Sequence, residues 1–375
     1  MRVTIYHNIL WSKYKGGVFS ALNKISKDIE FIQIAETEGD RVGLSGVDMS
    51  YHTYPHQLLH QGKYEDIGTA KLANELFWHT LKAEADLVVL AGYHRIEYWA
   101  QLFAAFLSGK QVAVFCDSTA NDKPFSLLKA IPKWIFFHAV DGFFAYGERS
   151  RNYICSYGIK PEKVFFRCQA AALPHHYSPD SAITTRVVAQ QSQDHPVFLY
   201  VGRLSHEKDL HILLDAFHTV VQQYSDAKLR LVGSGPLRES LEAQAKQLGL
   251  NDSVVFTGGK TINELEGEYA KATCMVLPSN SEPWGLVVNE ALSYGCPVVV
   301  SEACGCVPEL VIDGFTGFSF RTGNTAELAL RMLSCVNEFT DQQQTATNCV
   351  SHIGRFSPEN AARQILAGLD HMLSE

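Results

Sequence analysis

The sequence predicts an α/β protein made of two doubly wound, Rossmann-like halves. Three observations carry this. The chain has 375 residues, long for one hydrophobic core. Short apolar runs rich in Val, Ile and Phe alternate with helical periodicity through the first half. A second series of the same kind begins after a polar, aperiodic stretch that ends near His195. Alternation of this type implies parallel strands joined by crossover helices, and ligands of such sheets collect at the carboxyl ends of the strands.

Composition narrows the function. A hydrophobic content of 46% with 19% charged residues is that of a folded globular chain. The net charge of -8 argues against nucleic acid as a partner. The opening MRVTIYHNIL lacks a basic segment followed by an apolar one, and no window approaches the ~20 apolar residues of a membrane span. The nine cysteines are scattered and odd in number, so a reducing, cytoplasmic setting is expected. Most of the excess negative charge falls after Asp180, which makes the first half the better one to face an anionic surface.

In the first half, Val3–Ile9 reads as a strand, residues 10–17 as a loop carrying Lys13, Lys15, Gly16 and Gly17, and residues 18–29 as a helix. Further strands are expected at 87–91, 112–115, 142–145 and 164–167. The loops to watch are Gly16-Gly17, Tyr93-His94-Arg95, the one holding Asp117, and Tyr146-Gly147. The expected boundaries are a first domain over 1–180, a linker over 181–195, a second domain over 196–357 and a last helix over 358–375.

The second half holds the constellations that carry chemistry. After the strand ending at Val201, Arg203 and Lys208 share one loop, where a guanidinium fork and an ammonium can converge on a diphosphate. The turn 231–237 and the pair Gly258-Gly259 follow strand ends. The first is a fragment of a dinucleotide fingerprint better read as a structural turn, and for the glycine pair a tight turn serves as well as close approach of a nucleobase. Cys304-Gly305-Cys306 lacks the spacing and the second ligand pair of a zinc site, so no metal is assigned. The stretch PSNSEPWGLVVNEA, residues 278–291, places Glu282 before a helix start and Glu290 in its second turn. With a helical rise throughout, the two would lie roughly 12 Å apart. That is too far for a glycosidase pair at ~5 to ~9.5 Å. It suits the two ends of a nucleotide diphosphate sugar, with its phosphates over the free amides at the helix start.

Taken together, Gly202-Arg203 with Lys208, the turn 231–236, residues 254–258, the glutamates Glu282 and Glu290, and Gly305 with Glu309 and Gly317 make the chain resemble the family 4 glycosyltransferases. These are retaining enzymes of the GT-B fold. The resemblance spans the second domain and is thinner in the first, where it rests on Gly16-Gly17 and residues 146–159. It implies two Rossmann-like domains facing each other across a cleft, with the C-terminal helix packing back on the first. It also implies that Arg203 and Lys208 hold the donor diphosphate, Glu290 the ribose and Glu282 the donor sugar. The amides of Gly285, Leu286 and Val287, with Gly17 and Gly258, complete the donor site, and no metal or other cofactor is required.

Relatives often carry a His where this chain has Phe115-Cys116-Asp117, so Asp117 becomes the candidate for orienting a sugar hydroxyl or taking the acceptor proton; a helix cap or turn explains it equally well. Residues 168–179 and Trp284 also depart from the family pattern. For the acceptor, Tyr93, His94 and Arg95 are the candidates, with an exposed loop as the plainer reading. The stretch 123–140 mixes Lys with Trp134, Phe136 and Phe137; it suits a core-facing helix or a membrane surface. The expected function is transfer of a sugar from a UDP- or GDP-linked donor to a hydroxyl of a glycan, lipid-linked or small-molecule acceptor, with peripheral membrane contact in view. The alternatives are a non-catalytic nucleotide-sugar-binding subunit and an epimerase on the same fold.

Overall fold

The computed structural model describes residues 2–39, 46–120 and 127–374, and the chain divides into two compact units. The first runs to Ala172 and regains the chain from Phe356 onward; the second is Leu173–Arg355.

The first unit is built on a parallel sheet of β1 (Val3–Ile9), β2 (Ile29–Thr37), β3 (His56–Lys63), β4 (Leu87–Leu90), β5 (Gln111–Cys116), β6 (Gly142–Ala145) and β7 (Val164–Phe165), in the order β3-β2-β1-β4-β5-β6-β7. Its central strands are buried on both faces, as crossover helices on both sides require. Alternate residues feed two cores. Tyr6, Ile32 and Val88 pack with Leu76, Leu102 and Phe137 from helices on one face. Ile5, Phe31 and Val89 pack with Val18 and Leu22 on the other, where Ile365 and Leu369 of the C-terminal helix Pro358–Ser374 join them. That helix therefore packs back on the first unit.

Two expectations are corrected here. The first helix spans Lys13–Ile25, so Gly16 and Gly17 lie inside it and not in a loop. Glycine fits at position 16 because the His52 ring lies 2.7 Å from where a Cβ would sit. Residues 18–29, expected as helix throughout, stop being helical at Ile25, and Ile29 opens β2. The alternating IEFIQIAET was the available signal for β2, while the polar edge strand β3 gave almost none. Of the stretch 123–140, Lys123 to Ser126 lie outside the described residues.

The second unit repeats the plan with β8 (Val197–Val201), β9 (Lys228–Val232), β10 (Val254–Gly258), β11 (Cys274–Leu277), β12 (Val298–Ser301) and β13 (Gly317–Phe320), all parallel, in the order β10-β9-β8-β11-β12-β13. Most of the stretch read as a linker, 181–195, is instead the helix Pro179–Gln191. Ser178 caps it by accepting from the Ser181 amide at 3.2 Å, and Pro179 occupies its first turn. The helix gives little signal in the sequence because its residues are mostly polar, with Ala182 and Arg186 its buried side chains.

Arg186 shows why the helix belongs to this unit. It is fully buried, and its guanidinium donates to the carbonyls of Tyr269 at 3.0 Å, Ala272 at 2.9 Å and Thr273 at 3.4 Å. These acceptors gather at the carboxyl end of the helix Ile262–Lys271, where a cation also meets the negative end of the helix dipole. Removing it strands buried carbonyls. We expect Arg186→Met, which keeps apolar bulk, to cost about 2 to 4 kcal/mol, seen as a lowered urea midpoint.

Candidate functional site

In the second unit the strand order reverses between β8 and β11. The chain leaves β8 toward β9 and leaves β11 toward β12, so a crevice opens between their carboxyl ends. Two loops line it. The first carries Arg203 and a short 3-10 turn, His206–Lys208, and passes through Asp209 in the left-handed region (φ 50°) before the helix Leu210–Gln223. The second carries Glu282. The Asn280 amide ties the loops by donating to the Glu207 carbonyl at 3.0 Å.

The cations meet carboxylates in this crevice. Lys208 Nζ pairs with Glu282 Oε2, and both side chains are largely buried. Arg203 Nη2 lies 3.0 Å from Glu207 Oε1, which also accepts from Ser205 Oγ at 2.6 Å. Arg203 keeps half its side chain exposed. The two pairs balance locally.

The loop of Glu282 is fixed from behind. The Gly305 amide donates to the Glu282 carbonyl at 2.9 Å, and the Cys306 amide to that of Trp284 at 3.1 Å. A Cβ at position 305 would sit 1.8 Å from the Pro283 carbonyl oxygen, so only glycine permits the approach. Gly285, with φ 99°, then turns the chain into the helix Leu286–Ser293. The amides of Gly285, Leu286 and Val287 precede its first internal bond, from Val288 to the Gly285 carbonyl, and so form the free N-terminal end that favours anions.

Glu290 lies in the second turn of this helix and accepts from Tyr269 Oη at 2.9 Å. Burial pushes its carboxyl up to about 7, while the Tyr269 hydroxyl pulls in the opposite direction. Tyr269 stacks on Tyr294 with ring centroids 5.6 Å apart, and its backbone carbonyl is one of those held by Arg186. Because the folded carboxyl titrates higher than an unfolded one near 4.5, its contribution to stability is full below that value and is lost as pH rises through about 7. The window amounts to about 3 kcal/mol. We expect thermal unfolding of the ligand-free protein to move down between pH 5 and pH 8, and Glu290→Gln to flatten that dependence.

The other sequence candidates are dispersed. Gly258 ends β10 with φ 75°, where its carbonyl accepts from the Gly233 amide at 2.9 Å. In the first unit, Asp117 is exposed just past β5, with its carbonyl accepting from Ser150 Oγ. Tyr93 is buried, donates to Ser118 Oγ at 2.7 Å and packs on Phe137. Arg95 lies over the Tyr64 ring and 3.7 Å from Glu97. Of the three acceptor candidates, His94 presents an exposed side chain and the other two serve the packing of their own unit.

Sequence reasoning missed Glu207 and Tyr269, which partner the predicted residues. Glu207 was visible one position before Lys208, but its pairing with Arg203 depends on the turn. Lys15, in the first helix, has an environment that its sequence neighbours do not reveal. It is buried, with Nζ lying 4.2 Å from the Phe115 ring centroid and 4.8 Å from that of Tyr146. Burial pulls its ammonium down to about 8, with the Asp117 carboxylate acting in the opposite direction. The groove of ≈ 750 Å³ lined by Arg2, Lys27 and Trp78 sits at the amino edge of the first sheet, the opposite edge from that used by ligands of such sheets.

Residues 183–349 match the family described as glycosyl transferases group 1. A sulfoquinovosyl transferase of Arabidopsis thaliana is 34% identical over 38% of this chain and 27% of its own length. A GDP-mannose-dependent phosphatidylinositol monomannoside mannosyltransferase of Mycolicibacterium smegmatis is 32% identical over 40% of this chain and 43% of its own. These matches span less than half the length of either relative. Over the whole chain, the Anabaena protein HepE, solved with UDP, superposes with a TM-score of 0.74 at 20% identity, covering 99% of this chain and 100% of that one. Residues 183–349 thus match the group 1 glycosyl transferases, and the chain as a whole has the GT-B fold of two Rossmann-like units.

Proposed function

We propose that the protein is a retaining glycosyltransferase that moves a sugar from a UDP- or GDP-linked donor to a hydroxyl of a glycan, lipid-linked or small-molecule acceptor. The observation that carries this is the pairing of Lys208 with Glu282, three residues before Gly285 caps the amide end of the helix Leu286–Ser293, with the Arg203–Glu207 pair on the loop of Lys208. The group 1 match over the same residues supports it, as do neighbours of this fold solved with UDP and with UDP-glucose. The GDP-mannose-dependent relative keeps both bases in the proposal.

The ligand-free ion pairs suggest how the residues act. A bound diphosphate takes the Lys208 ammonium from Glu282, and Arg203 turns from Glu207 to the phosphates. Glu282 is then released to accept from hydroxyls of the donor sugar, while the Glu290 carboxylate accepts from the ribose. As the bond between the anomeric carbon and the phosphate oxygen breaks, charge grows on that oxygen, where the two cations and the helix amides lie ready. The acceptor oxygen bonds to the anomeric carbon on the face the diphosphate leaves, and its proton passes to the departing oxygen. These groups do the work a divalent cation would otherwise do, so chelation with EDTA should leave turnover unchanged. No helix among the described residues is long and apolar enough to cross a membrane; the cytoplasmic setting we propose rests on the scattered, odd-numbered cysteines.

Incubation with a panel of sugar nucleotides and acceptors, followed by mass spectrometry, tests the reading. Lys208→Ala and Glu282→Ala should each lower kcat by about 10² to 10³, while circular dichroism still reports the parent fold. Full activity in either would remove the site assignment. Donor conversion without an acceptor would instead make the protein an epimerase, and tight binding without turnover a nucleotide-sugar-binding subunit.

A further inference from the structure

The helices on one face of the first sheet have an unusual outer surface. Helices of a water-soluble domain normally turn polar side chains outward. The helix Ile96–Leu107 instead exposes Ile96, Phe103, Phe106 and Leu107, and Phe106 is 78% exposed. Its single carboxylate, Glu97, is turned inward, where it accepts from Tyr64 Oη at 2.8 Å. The helix Leu127–Ala139 has no carboxylate in its sequence. It buries Phe136 and Phe137 while exposing Ile131, Trp134 and Ile135 at helical spacing.

These helices lie in one layer. The Trp99 and Phe136 rings meet at 5.2 Å, and the Phe77 and Phe103 rings at 6.2 Å, linking them to each other and to the helix Thr69–Lys82. Both buried faces feed the same core, so the exposed side chains point outward on the same side. The helix Thr69–Lys82 adds Trp78, 48% exposed, with the Lys82 ammonium 5.7 Å from its ring centroid. Lys133 lies among the exposed residues of its helix but is held by Tyr153 Oη. The patch is thus apolar and aromatic, spread over the backs of adjacent helices, with cations at its margin and no exposed carboxylate on its two central helices.

We propose that this face docks on the surface of an anionic lipid bilayer. Trp and Phe suit the boundary between headgroups and acyl chains. Lysines beside them gain from the negative surface potential, and carboxylates, which that potential repels, are missing from the two central helices. If the transferase reading also holds, a lipid-anchored acceptor becomes the favoured substrate class, and that step alone rests on the reading.

The test is co-sedimentation of the full chain, without nucleotide, with vesicles of phosphatidylcholine alone or mixed with phosphatidylglycerol. We expect binding to the mixed vesicles at low salt, weaker binding to phosphatidylcholine, and loss of the difference at high salt. Phe106→Asp and Trp134→Asp should each cut binding by about tenfold or more without lowering the unfolding temperature, because both side chains are exposed. Lys82→Glu should reduce binding to the mixed vesicles alone. Failure to bind mixed vesicles at low salt, or unchanged binding in both Asp variants, overturns the proposal. So does light scattering that shows a dimer which Phe106→Asp converts to monomer, since a second copy would then cover the face. Vesicle binding is read without turnover, so a failed transfer assay leaves it standing, and failed docking leaves transfer to soluble acceptors standing.

Discussion

The backbone contact between residues 282–284 and 304–306 holds the second unit's crevice in shape. Two amides, from Gly305 and Cys306, bind carbonyls of Glu282 and Trp284, and the chains lie too close for any side chain at position 305. The contact anchors the loop that carries Glu282 and leads through Gly285 into the helix whose amides face the crevice. Without it, the loop between β11 and that helix would keep its sequence and lose its position. The opposite loop, from β8, is fixed by the Asn280 bond to Glu207 and by the Tyr200 hydroxyl donating to the Arg203 carbonyl at 2.6 Å.

Electrostatics within this frame are balanced rather than strongly positive. Lys208 is matched by Glu282 and Arg203 by Glu207, so the ligand-free crevice does not hold two unpaired cations close together. An arrangement of this kind limits the repulsion that two cations would otherwise suffer, and it leaves them able to change partners when an anion arrives. Glu290 sits apart, held by Tyr269 within a stack of aromatic rings. Its raised pKa follows from burial, and the helix Pro179–Gln191 reaches it at second hand, through Arg186 and the backbone of Tyr269.

Much of this was legible from residues alone, though unevenly. The central strands of both units announced themselves as short apolar runs, because a parallel strand covered on both faces is hydrophobic throughout. The edge strand β3 and the helix Pro179–Gln191 did not, because each buries few side chains and its polar remainder resembles loop. The start of the first helix is hidden because Gly16 and Gly17 look like a turn, whereas one of them is glycine to make room for the His52 ring. In the site, Arg203, Lys208, Glu282 and Glu290 stood out by charge and spacing. Glu207 and Tyr269 did not, since each matters only through the residue it touches.

By itself the sequence determined the class of the fold and the chemical types available to it: alternating strand and helix, two cations after one strand, two carboxylates around one helix start. Only the tertiary structure decided that Lys208 and Glu282 meet in one crevice. Lys208 and Glu282 are 74 positions apart, and nothing in their local context brings them together. They meet because β8 and β11, separated in the chain by two other strands, are neighbours in the sheet at the point where its order reverses. Pairing between distant strands is set by burial and hydrogen bonding over the whole sheet, which no local stretch of sequence encodes.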